Sequence, residues 1–235
     1  MGRWALAPIV AVAALCGTSA AVAADEFTDA VQRAYAPYRA ALFKTNSGSP
    51  AEAKAAVDAG SAAWAAVARR YAAGAPAPYA TDARLPDSLA AVDRQWREAA
   101  GLVAAGNTAG AHEALEAIRD TLADLRARNQ VVVFSDHMNA YHAVMEETLA
   151  IKPADAGALA QATGKQAVLA YLARRLHEAA PPALAADADF RGLLEAVDAS
   201  VASLGTAVAS KDPAALAAAL GKLKQPYSKL FLRFG

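Results

Sequence analysis

Apolar residues recur three and four positions apart through almost the whole chain after residue 25, and the pattern breaks only where helix-starting and helix-stopping residues stand. That period lines up side chains on one face of an α-helix, whereas a strand requires alternation by two. Alanine supplies roughly 29% of the residues while Val, Ile, Thr and the aromatics are sparse, a composition of high helix and low strand propensity. The expected fold is all-α, built of antiparallel helical hairpins, and an all-β fold is excluded.

The breaks give the helix count. A first helix is expected over 26–44, closed by Thr45-Asn46-Ser47-Gly48. Ser49, Pro50 and Glu52 then have the spacing of a capping box with proline at the first helical position. This second helix ends before Gly74, and a proline-bearing loop over 74–86 leads to a third helix over 87–105. Asn107 caps a fourth helix reaching 128, and three successive valines at 131–133 interrupt the pattern. Ser135 or Asp136 is expected to cap a fifth helix through 149, followed by a sixth over 154–179. The last two run over 187–210 and 213–234, the final one capped by Asp212. Eight helices in hairpins predict two four-helix bundle units, 25–130 and 131–235. The capped turns at 104–109 and 209–214 are alike enough to allow a duplication, with a single larger bundle as the competing arrangement.

The first residues carry a compartment signal. Arg3 precedes an apolar run over 4–15, and Ala21-Val22-Ala23 stands just before Asp25. This is the pattern of a cleaved secretory signal over 1–24, and the run is shorter than the about 20 apolar residues that cross a bilayer. A periplasmic or secreted protein without stable membrane insertion is expected. The only cysteine, Cys16, leaves with the signal, so disulfides, thiolate zinc sites and CxxCH haem attachment are excluded from the mature chain. Lys and Arg together number 23, equal to Asp and Glu, and this balance supplies no basic excess for nucleic acid.

One stretch could carry chemistry. Two of the three methionines and two of the four histidines lie between His137 and Met145. On a helix, Met138, His142 and Met145 share a face at i, i+4 and i+7, flanked by His137 and Tyr141. Thioether and imidazole are the donors that select soft copper, above all Cu(I). The same residues also read as an ordinary apolar stripe, Phe134, Met138, Met145 and Leu149, with His142 at its edge. A second constellation pairs His112 with Glu116 and His142 with Glu146, each one turn apart, as in bundles that hold two irons. Glu113, His177 and Glu178 are further possible ligands. No GxSxG, GxxxxGK[ST] or HExxH motif occurs, so no hydrolase or nucleotide enzyme is indicated and a non-enzyme is expected. Ser135-Asp136-His137 reads as a helix cap rather than a catalytic relay, whose members must converge from different elements. The stripe Tyr227, Leu230, Phe231 and Phe234 fits burial, or docking on a partner or membrane surface.

These cysteine-free, alanine-rich hairpins resemble the soluble b-type cytochrome bundle and related periplasmic four-helix proteins, and Asn139-Ala140-Tyr141-His142 is similar to that family's haem-histidine segment. The resemblance implies a four-helix fold with His142 as a haem ligand. The methionine that partners it in the family has no counterpart, since none occurs between Asp25 and Val133. The segment 35–44 with its turn also resembles a small helical domain found beside periplasmic copper-efflux components.

The sequence thus points to an exported helical protein that binds a soft metal ion, copper favoured, through Met138, His142 and Met145 with help from His137. Its task would be buffering or transfer, with a periplasmic metal donor or acceptor as partner. The alternatives are a structural or adaptor bundle, or a b-type haem or di-iron carrier in which His112 or His177 becomes essential.

Overall fold

A computed structural model describes residues 25–235, so the expected export signal lies outside the described residues. These form helices without a strand. Asp25 caps α1 (Glu26–Ser47) by accepting from the Thr28 amide at 2.7 Å. Ser49 and Glu52 close the expected capping box on α2 (Pro50–Arg70), the Glu52 carboxylate accepting from the Ser49 amide at 2.9 Å. One 3-10 turn, Tyr79–Thr81, sits in the long loop before α3 (Leu85–Ala104). Asn107 caps α4 (Thr108–Arg128) as expected.

The second half departs more from the pattern. Phe134, not Ser135 or Asp136, opens α5 (Phe134–Leu149), and Asp136 acts from inside the first turn by accepting from the Val133 amide at 3.0 Å. Residues 152–157 form turns, and α6 (Ala158–Ala179) starts four residues later than expected, after Gly157 at φ 89°. A short α7 (Pro182–Ala186) precedes α8 (Ala188–Ser210). The expected final helix is two, α9 (Pro213–Leu220) and α10 (Lys224–Phe234). Pro226 explains the split. In a continuous helix it would remove an interior hydrogen bond, whereas as the third residue of α10 its missing N–H is one that no helix uses.

Packing follows the chain. Helix α1 packs on α2 and α4, α2 on α3, and α3 on α4; α5 packs on α6, α6 on α8, and α8 on α7, α9 and α10. Helix α10 also touches α5 and crosses to α1. The buried side chains form two apolar clusters, one running from Phe27 to Leu125 and the other from Phe134 to Leu230, and Phe231 packs against both. Among the described residues, α8 alone is long and apolar enough to cross a membrane by length and composition. Here its Phe190, Leu194, Val197, Val201 and Leu204 lie in the second cluster.

Candidate functional site

Helix α5 buries Phe134, Met138, Tyr141, Met145 and Thr148, a stripe of alternating four- and three-residue steps. Met138 and Met145 stand at 0% exposure inside the apolar cluster. His142, at the edge of that stripe, leaves the core and faces a half-open cleft of about 540 Å³ that neither methionine lines. His137 is half-buried outside the cleft, its pKa lowered by burial and then by Arg175. The four expected metal residues therefore do not meet in one accessible place. The reason is geometric: a shared helical face spans both the core and its margin, and thioethers go to the core while the imidazole takes the margin.

The cleft lies where α1 and α4 meet α5 and α10. Two buried tyrosines hold its walls. Tyr38 of α1 donates to the Leu115 carbonyl of α4 at 2.9 Å, and Tyr227 of α10 donates to the Met138 carbonyl of α5 at 3.1 Å. Burial pushes both phenols well above their ordinary range, so both remain donors.

A row of polar side chains runs between these walls. His112 Nε2 stands 3.7 Å from Glu116, Arg119 Nη1 stands 3.6 Å from Glu116 and donates to His142 Nδ1 at 3.0 Å, and His142 Nε2 lies 3.4 Å from Glu146. Lys224 ends the row, 3.1 Å from the same Glu146 oxygen. A guanidinium can only donate, so the contact assigns Nδ1 of His142 as acceptor and puts the proton of the neutral ring on Nε2, toward Glu146. Desolvation, then the positive charge of Arg119, lowers the His142 pKa and keeps the ring neutral. His112 is turned the other way. Its Nδ1 lies 3.0 Å from the Leu42 carbonyl and 3.2 Å from the Thr45 hydroxyl, so Nδ1 carries a proton and Nε2 faces Glu116.

The two imidazole–carboxylate pairs that spacing suggested do converge, with Arg119 between them. His177 does not join them; it pairs with Asp198 at 2.7 Å on the outer surface. Among the described residues, no three His, Cys, Asp or Glu side chains form a cluster suited to a metal ion. Arg119, Lys224 and Phe43 were not expected as site residues. Arg119 was within reach of sequence reasoning, because His112, Glu116 and Arg119 fall at i, i+4 and i+7, the same face rule that picked out Met138 and Met145. Phe43 carried no signal, being one more apolar residue near a helix end. No protein-family model, curated protein or solved structure matches the chain.

Proposed function

We propose that this is an exported, non-catalytic binding protein of two four-helix units, 25–130 and 131–235, which carries a small organic ligand in the cleft between them. The observation that carries the reading is the convergence of His112, Glu116, Arg119, His142, Glu146 and Lys224 on one half-open cavity with aromatic and aliphatic walls. Pockets of this size bury most of a drug-sized molecule, and a few convergent polar groups fix its orientation. Closed packing of α1 to α4, and of α5, α6, α8 and α10, supports the two units. Arg3, the apolar run over 4–15 and the small residues before Asp25 support export.

The test is a thermal-shift screen of the purified protein against small organic acids, amines and neutral aromatics. Ala143→Trp fills the cleft from an exposed helical position and should abolish any shift seen with the wild type. A shift that survives this variant, or none across the screen, removes the cleft as the ligand seat.

His112 and His142 line the same cleft with Glu116 and Glu146, and this donor chemistry supports a second reading, metal binding, in which the ion itself would have to draw the donors together, since no three of the described residues stand as a cluster without it. An imidazole–carboxylate donor set suits a divalent first-row ion, with Cu(II) at the top of the affinity order, rather than the Cu(I) that thioethers select. Elemental analysis and Cu(II) competition with a chelator test it. Paired His112→Gln and His142→Gln changes should release the ion, while Met138→Leu and Met145→Leu should release it only if Cu(I) reaches the sulfurs. Haem addition without a Soret band removes the b-type haem alternative.

A further inference from the structure

The cleft has two unlike sides. On one, the rings of His142, Tyr227 and Phe231 lie nearly parallel, with successive centroids 5.4 and 6.0 Å apart and interplanar angles of 20° and 19°. The Tyr227 hydroxyl is spent on the Met138 carbonyl, so this residue offers the cleft its ring rather than its oxygen. Across from α10, α1 contributes Phe43, a large apolar side chain left 39% exposed. Rings set in parallel present flat faces and edges that a planar ligand matches better than a puckered one.

The other side is charged but already largely paired. Glu146 is held by His142 and Lys224, and Glu116 stands beside Arg119 and His112. Arg119 donates to His142 through Nη1, with Glu116 near the same atom and Asp120 near Nε, and among the described residues no hydrogen bond uses its Nη2. The Nη2 N–H groups are left to a ligand carboxylate, a charge-assisted contact made through one nitrogen because Nη1 and Nε are already engaged. Glu113, Glu116 and Glu146 outnumber Arg119 and Lys224 along the lining, so a ligand's negative charge is tolerated only where it reaches Arg119, and a second one would meet repulsion.

We infer that the cleft selects a flat aromatic monocarboxylate, its ring system against Phe231 and Phe43 and its carboxylate on Nη2 of Arg119. This rests on the cleft being the ligand seat, and names the class of ligand it takes.

The experiment compares three probes of similar size by calorimetry on the full chain: 2-naphthoate, decalin-2-carboxylate and 2-naphthalenemethanol. The first is flat and charged, the second charged but puckered, the third flat but neutral. 2-Naphthoate should bind at least about tenfold more tightly than the alcohol, the scale of one lost charge-assisted contact, and more tightly than the decalin acid, which keeps the charge but loses the flat ring contact. Arg119→Gln should erase its advantage over the alcohol and leave its advantage over the decalin acid. Phe231→Leu should do the reverse, and circular dichroism and Tm verify that both variants are folded. Equal binding of the flat and puckered acids, or an acid preference that survives Arg119→Gln, overturns the ligand class. If the neutral, puckered or another probe binds best and Ala143→Trp blocks it, the class is wrong while the cleft stands. If no probe of any class binds, both are wrong.

Discussion

A half-buried imidazole held neutral ties stability to pH. Arg119, Glu146, Glu116 and Lys224 surround His142, and desolvation with Arg119 outweighs the carboxylates, so its folded pKa lies below the ordinary 6.5. His137 is lowered as well. The unfolded chain therefore takes up protons first on acidification. The stabilisation is complete above pH 6.5 and is lost as pH falls through the folded values. We expect urea midpoints to hold between pH 8 and 7 and to decline toward pH 5, and His142→Gln to flatten that decline; an unchanged slope in the variant would rule His142 out as its source. Arg126 is the other informative residue. Only 3% exposed, it meets Asp136 through Nε at 3.0 and 3.1 Å and through Nη2, and the same carboxylate caps α5. Asp136→Ala strands a buried cation and removes a cap, so a loss of about 3–5 kcal/mol in denaturant unfolding is expected. Adding Arg126→Met should recover part of that loss.

Among the elements, α2 and α3 pack with Gly60 directly against Trp96. A Cβ at Gly60 would lie 2.2 Å from the indole Cη2, and the ring is itself buried at 2% exposure. Gly60→Ala is therefore expected to destabilise by about 1–3 kcal/mol despite the better helix propensity of alanine; an unchanged or raised Tm would mean that the helices separate freely. Element boundaries were legible where a capping side chain closes a local ring of hydrogen bonds, as at Ser49, Asn107 and Asp212. They were misread at α5, where Asp136 caps from within the helix, and at α9 and α10, where periodicity ran through a break that Pro226 required. A repeat of three and four places residues on a face but does not register a three-residue turn inserted between two helices.

For the whole molecule, the decisive helix is α10. It packs on α8 and α5 within its own half and on α1 across the cleft. Arg39 of α1 donates to the Leu232 carbonyl at 3.3 Å and the Arg233 carbonyl at 3.4 Å, placing a cation at the negative end of the α10 dipole. Arg39→Ala should cost about 1–3 kcal/mol, with hydrogen exchange accelerating in α10 before α2 or α3. It should also weaken cleft binding without lining the cleft. Uniform exchange across both halves would instead mean that α10 is held by its apolar face alone.

Helix type, most helix ends and the apolar face of each helix were written in the sequence, because propensity, period and capping act over a few residues. The sequence also placed His112 with Glu116 and His142 with Glu146, since one turn of helix fixes each pair. It could not decide that the pairs would face one another with Arg119 between them, nor that Met138 and Met145 would be enclosed while His142 was not. Those outcomes depend on how α1 and α4 meet α5 and α10, a packing of surfaces distant along the chain, and only the tertiary structure sets it.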